Sequence, residues 1–291
     1  LEFRRVLFRS IHRSMNKDWV PLGFTVSLVN DPMRQRDDRE PPEAIDTIYA
    51  DREGMPAPFV FDRSVATVFP NMIRRSVPGY EASLDLIAMC AQQFGRANTR
   101  FYDLGCSRGA AIAAMLRRKP ADTVVIGVDT SEDMLQIARS ELHGHIQRDE
   151  VRLHEADITD YPIENASLVA MNYTLQFISE QARRPLLQRI YDGLVDGGAL
   201  VLSEKVIGDE RTQPILEALH LAFKREQGYS ELEIAQKREA LLNVLIPESI
   251  EQHIARLEDL GFTATLLAKS INFCTRSEEH TSELQSPDHL V

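Results

Sequence analysis

Apolar, β-branched runs alternate with amphipathic helical segments through residues 99–204, which specifies an α/β fold with a mostly parallel sheet and helices on both faces. Two further features agree. Several runs end on Asp, Gly or Asn, residue types that suit the turn from a strand into a helix. The chain of 291 residues is also 43% hydrophobic and 26% charged, an ordinary globular composition with enough apolar residues for a core.

Residues 99–106 (TRFYDLGC) form a short apolar run ending near Gly105, and residues 110–118 follow with helical composition. The β-branched run 123–129 (TVVIGVD) is the second strand. In the helix over 131–142, Ser131 caps the start, and Met134, Leu135, Ile137, Ala138 and Leu142 supply the apolar face. Further strands are expected over 151–157, 167–173 and 199–204. A helix over 181–194 precedes the last of these and closes in a turn at 196–198.

Charge and cysteine usage narrow the function classes. Net charge is -11, from 33 basic and 44 acidic residues. Tight binding to a nucleic-acid backbone draws on clustered Lys and Arg, so a small-molecule ligand is the better expectation. The short basic runs at Arg74–Arg75 and at 117–119 read as solvated helix faces. No stretch approaches the roughly 18 apolar residues of a membrane span, and residues 1–10 lack the apolar centre of a secretory signal. Cys90, Cys106 and Cys274 are scattered, with no C-x-x-C pair, so a reducing cytoplasm is the expected compartment.

The two ends differ from what lies between them. Residues 1–10 and 275–291 match nothing around them and read as foreign, linker-like sequence. Residues 31–58 are rich in charge and proline and read as a disordered or loosely docked leader. The expected division is a leader over 1–58, a ligand-binding domain over 59–274 and a tail over 275–291.

Parallel sheets bind ligands at the carboxyl ends of their strands, near the point where strand order reverses. The first such end, D-L-G-C-S-R-G-A over 103–110, sets Gly105 after a strand and Gly109 at a helix start, with Cys106 and Ser107 between them. It lacks the G-x-G-x-x-G pattern of dinucleotide enzymes, because Ser107 stands where the second glycine would be. Asp129 ends the second strand and can accept both hydroxyls of a ribose; the competing role of helix cap is already filled by Ser131. Asp157 can accept an adenine amine or serve as an ordinary loop aspartate. Asn172 lies in an apolar run, where its amide needs a hydrogen-bond partner from ligand or backbone. Together these four positions fit an S-adenosylmethionine fold better than a nicotinamide one, and no Tyr-x-x-x-Lys relay is present.

More specific motifs lie over 68–80 (VFPNMIRRSVPGY), 102–107 (YDLGCS), 163–167 (IENAS), 172–177 (NYTLQF), 197–205 (GGALVLSEK) and 223–238 (FKREQGYSELEIAQKR). On these motifs the chain resembles the carboxy-S-adenosylmethionine synthases, bacterial relatives of the class I methyltransferases, from about residue 59 to 274. The resemblance implies a Rossmann-like class I fold with a helical insert over about 209–250. It implies that Tyr80 contacts S-adenosylmethionine and that Gly105, Cys106 and Ser107 surround its amino-acid end. Asp129 and Thr130 would hold the ribose, Asp157 and Ile158 the adenine, and Asn172 would line the pocket. Arg238 would pair with the carboxylate that the reaction adds, with Lys205, His220, Arg225 and Tyr229 as further candidates for holding prephenate.

The implied reaction carboxylates the S-adenosylmethionine methyl group, with prephenate as carboxyl source and phenylpyruvate as by-product, and needs no metal. Homodimerisation is also implied, as is a product that feeds a second enzyme carboxymethylating wobble uridine in transfer RNA. Two other readings stay open at this point: an ordinary S-adenosylmethionine methyltransferase and a non-catalytic S-adenosylmethionine-binding protein. Class I methyltransferase sheets end in an antiparallel hairpin. With a foreign tail after 274, the final strand is expected to be truncated and the strand over 263–273 to lose its partner.

Overall fold

The computed structural model describes residues 44–50 and 56–280. Helices α1 (Arg63–Ser76) and α2 (Tyr80–Phe94) precede the sheet. Then come β1 (Arg100–Leu104), α3 (Ala110–Leu116), β2 (Val124–Asp129), α4 (Glu132–Glu141), α5 (His143–Gln147), β3 (Val151–Glu155) and β4 (Ala166–Asn172). A 3-10 turn (Leu175–Phe177) leads to α6 (Glu180–Gly193) and β5 (Leu194–Ile207). Helices α7 (Gln213–Glu226) and α8 (Glu231–Ala240) follow β5, and β6 (Glu248–Ser249), α9 (Ile250–Glu258), β7 (Phe262–Ser270) and β8 (Phe273–His280) complete the described chain.

The main sheet runs β3-β2-β1-β4-β5-β8-β7. Its first five strands are mutually parallel, while β8 pairs antiparallel with both β5 and β7. Strand order reverses at β1, whose neighbours β2 and β4 leave it in opposite directions, so a crevice opens beyond Leu104 and Asn172. Alternation along β1 divides the core. Phe101 packs with Ile87, Ile112 and Met115 on one face, and Tyr102 packs with Leu187 and Ile190 on the other.

Local chemistry sets the element ends that matter for the crevice. Ser131 caps α4 by accepting the Met134 N–H, as its position in the sequence predicts. Glu248 in β6 meets Arg183 of α6 at 2.6 Å, tying the chain that returns from α7 and α8 to the sheet. The turn expected at 196–198 instead lies inside β5: Gly197 takes φ 67°, and the β4–β5 register shifts between Ala166 and Leu168, so the chain bulges and continues as strand.

The expected truncation of the last strand is corrected. Residues 273–280 form β8, which occupies the slot between β5 and β7 with Ala199 opposite Glu279 and Phe262 opposite His280. Backbone pairing on both edges outweighs an unsuitable side-chain pattern. That pattern leaves a mark: Arg276 and Glu278 are fully buried, and among the described residues neither side chain's charged atoms find a hydrogen-bond partner, although Arg276 Nε stands 3.4 Å from Glu278 Oε1. Residues 281–291 of the expected tail lie outside the described residues, as do 1–43 and 51–55 of the expected leader. Residues 44–50 are not loosely docked, because Asp46 and Tyr49 are buried against α1 and α8.

Candidate active site

A cavity of about 420 Å³ opens at the carboxyl ends of the parallel strands. The loop after β1 contributes Gly105 and Ser107, β2 ends in Asp129 and Thr130, the turn after β3 brings Asp157 and Ile158, and β4 ends in Asn172. Seven of the residues expected from the sequence therefore share one wall.

The β1 loop has unusual backbone. Gly105 lies at φ 80°, and a Cβ there would overlap the Thr174 side chain. Ser107 takes φ 48° and is held by its N–H, which donates to Asp129 Oδ2 at 2.8 Å. Tyr173, next to Asn172 at the end of β4, takes φ 64°. Left-handed non-glycine residues flanking a cavity are strain of the kind that functional sites hold.

Asp129 also accepts the Ser131 N–H through Oδ1 at 2.9 Å, so two backbone donors fix its carboxylate at the cavity edge. Burial raises its pKa, and those N–H groups oppose the rise. Behind it Asp103 is 1% exposed and is pushed up to about 7 by burial and by Asp129. Asp157 Oδ1 accepts from both the backbone and the hydroxyl of Thr159. Asn172 Oδ1 is buried and has no hydrogen-bond partner among the described residues, an orphaned acceptor at the cavity wall. Fixed carboxylates, a close-approach glycine and an orphaned amide oxygen suit an adenosine with its hydroxyls and amine donors.

Three expected residues are not on this wall. Tyr80 is buried with its ring 6.2 Å from that of Tyr173 and belongs to the core beside the cavity. Cys106 points into the sheet core beside Gly127, and burial drives its thiol pKa well above the ordinary value, so it packs as a small apolar group. Arg238 is exposed and lines a shallow depression with Leu221, Arg225, Glu231 and Leu242 on the outer side of α7 and α8. Within one chain it does not reach the cavity. The reason is helical phase: the buried residues of α8 are Glu233, Ile234, Gln236, Lys237 and Ala240, and Arg238 stands about 100° round from Lys237, on the side of Ile234, with which it shares the outer depression.

Of the further candidates for holding prephenate, Lys205 and His220 line the cavity, while Arg225 pairs with Glu231 outside it and Tyr229 is buried against Asp46. Sequence reasoning missed Lys224 and Lys237, which join them on the wall. A helical reading of α8 would have found Lys237, since it shares the Glu233–Ala240 stripe. It also missed Phe61, whose ring meets Phe177 edge-on at 5.3 Å over the apolar side. Beneath Phe177, Glu204 accepts the N–H groups of Leu175 and Gln176 at 2.9 and 3.0 Å and so fixes the 3-10 turn.

Among the described residues, no three His, Cys, Asp or Glu side chains gather as a metal site. No helix of the described residues is long and apolar enough to cross a membrane.

Comparison with known proteins agrees with this geometry. A methyltransferase domain family matches residues 101–198. A carboxy-S-adenosyl-L-methionine synthase of Hydrogenovibrio crunogenus is 46% identical over 232 residues, covering 79% of this chain and 92% of the relative. Proteins of the same name from Shewanella sp. (strain ANA-3) and Aeromonas salmonicida are each 48% identical, over 75% of this chain and 90% and 89% of their own lengths. Among solved structures, an O-methyltransferase family protein from Burkholderia thailandensis aligns at TM-score 0.54 with 20% identity. That alignment covers 76% of this chain and 61% of the other, and at that identity it speaks for the fold alone.

Proposed function

The chain belongs to the carboxy-S-adenosyl-L-methionine synthase family, and on that premise we propose that it carboxylates the methyl group of S-adenosylmethionine at the cavity described above, with prephenate as carboxyl donor. The observation that carries the reading is the gathering of Gly105, Ser107, Asp129, Thr130, Asp157, Ile158 and Asn172 on one cavity wall. Asp129 with Thr130 holds the ribose, Asp157 with Ile158 the adenine, and the Gly105–Ser107 loop the amino-acid end. Tyr80 and Cys106 act from behind this wall, through Tyr173 and the β1 loop.

The sulfonium acidifies its methyl group, and the donor aromatises by releasing carbon dioxide and hydroxide. The hydroxide takes the methyl proton and leaves as water, while the methyl carbon bonds to carbon dioxide. The protein's part is to bind, orient and enclose. Phe59, Phe61, Phe69 and Phe177 keep the cavity's apolar side dry, so that the carbon nucleophile is not quenched.

The assembly proposed is a homodimer. Ile215, Leu219, Leu232 and Leu242 are half-exposed or more on the segment carrying α7 and α8, an apolar surface beside Arg238. In a dimer through this surface, Arg238 of a second copy is the one able to meet the added carboxylate. Free thiols at Cys90, Cys106 and Cys274 fit a reducing cytoplasm, and the product supplies an enzyme that modifies wobble uridine in transfer RNA.

Mass spectrometry after incubation with S-adenosylmethionine and prephenate tests the reaction. The expected product is the nucleoside heavier by one carbon dioxide, formed together with phenylpyruvate. S-adenosylhomocysteine with a methylated acceptor would contradict it.

A further inference from the structure

The cavity is electrically two-ended. Its acidic lining residues are Asp129 and Asp157, both at the strand ends. Lys205 of β5, Lys224 of α7 and Lys237 of α8 line the other side, with neutral His220 among them. His220 Nε2 lies 2.9 Å from the Ser76 carbonyl, and burial pushes its pKa down to about 3, so Nε2–H donates and the ring adds no charge.

These three lysines are not equivalent. Lys237 is answered by Asp46, 3.3 Å away, and also donates to Ser76 Oγ at 2.9 Å. Lys224 is 9% exposed, yet forms no ion pair and no side-chain hydrogen bond among the described residues. Lys205 is half-buried; it feels the exposed Glu217 but makes no ion pair with it. Burial and the neighbouring Lys237, Lys205 and Arg238 push Lys224 down to about 7. A buried ammonium without a counter-ion is unfavourable unless something anionic arrives.

We infer that this end of the cavity is a dicarboxylate subsite in which Lys205 and Lys224 each meet one carboxylate of the donor, while Asp46 reserves Lys237 as part of the wall. Two unanswered ammonium groups on different elements match a ligand with two separated carboxylates, and a monocarboxylate satisfies only one. Lys205 lies on β5, beyond β4 in the strand order, whereas Asp129 ends β2 and Asp157 follows β3. The subsite therefore occupies the end of the same cavity away from the ribose and adenine positions, which sets the donor against the methyl-bearing end of the nucleoside. The inference rests on the reaction proposed above and adds the residues that recognise its second substrate.

Calorimetric titration of prephenate into protein saturated with S-adenosylhomocysteine, which has no methyl group to react, reads this subsite without turnover. Wild type is expected to bind prephenate, and Lys224→Met and Lys205→Met each to weaken it tenfold or more while holding S-adenosylhomocysteine within twofold of wild type. Phenylpyruvate, with one carboxylate, is expected to lose affinity in only one of the two variants. Thermal melting identifies a variant that fails to fold, and Lys224→Gln then replaces Lys224→Met. Prephenate affinity within twofold of wild type in both folded variants would overturn the subsite. Lysine-dependent binding with no carboxylated product from wild type and S-adenosylmethionine would overturn the reaction and leave the subsite standing.

Discussion

Lys237 Nζ lies 3.3 Å from Asp46 Oδ2, with the two side chains only 5% and 1% exposed. They are 191 positions apart, so this pair fastens the chain before the first helix onto α8. Tyr229 donates to the same carboxylate oxygen at 2.6 Å, and Arg75 lies 3.9 Å over the Tyr229 ring. Asp46→Ala strands Lys237 without its anion, a change that costs about 3–5 kcal/mol. The expected result is that loss in urea denaturation, with part of it recovered in Asp46→Ala/Lys237→Met. Additive losses in that double variant would contradict coupling between the two residues.

The β8 strand carries charge where a sheet interior calls for apolar side chains. Replacing Arg276 by Leu together with Glu278 by Ala is expected to raise stability by about 1–4 kcal/mol. The sign with pH follows from Glu278, which burial pushes up from 4.5 to about 8. Its folded state holds the proton more tightly than the unfolded chain. The stability it contributes is therefore complete below about pH 4.5 and is lost as pH rises through about 8. Urea midpoints between pH 5 and 9 should fall in the wild type and fall less in Glu278→Ala. Glu204, also pushed up to about 8 by burial, keeps part of the slope.

Glu204 is the clamp under the 3-10 turn, and its two oxygens take two backbone donors. Glu204→Gln sets an amide N–H against one of them and leaves it unsatisfied, at a cost of about 1–3 kcal/mol. Faster hydrogen exchange at the amides of Leu175 and Gln176 is the expected signature. Unchanged exchange there would contradict the clamp.

Donor binding carries its own pH dependence. Burial, helped by the fields of Lys237, Lys205 and Arg238, pushes Lys224 down to about 7 in the free protein. The anion binds the charged lysine, so the KM for prephenate is expected to rise above pH 7 by up to about tenfold per unit. In Lys224→Met that rise should flatten, and a profile unchanged by the substitution would contradict the assignment.

Strand-end residues were legible because their positions follow from period and punctuation alone. A β-branched run closing on Asp129 before a capped helix has one place to put that carboxylate, and Asn172 closes β4 in the same way, whereas Asp157 lies in the turn beyond β3 and read equally well as a loop aspartate. Arg238 was legible as a motif member but not in its direction, since neighbouring helical residues differ by about 100° and Lys237 holds the inward phase. Asp46 lies in a charged, proline-rich stretch with no period, and only its distant partners Tyr229 and Lys237 give it a place. The β8 strand was illegible for the opposite reason: Arg276 and Glu278 argue against a buried strand, and the open edges of β5 and β7 draw the backbone in regardless.

Isotope transfer tests the central claim most directly. Prephenate carrying carbon-13 in its ring carboxylate is incubated with S-adenosylmethionine and the protein in unlabelled bicarbonate, and the nucleoside product is weighed. Transfer within one enclosed cavity predicts a carboxylated nucleoside that retains the label almost completely. Unlabelled carboxylated product, or no such product from folded protein that binds S-adenosylmethionine, would contradict it.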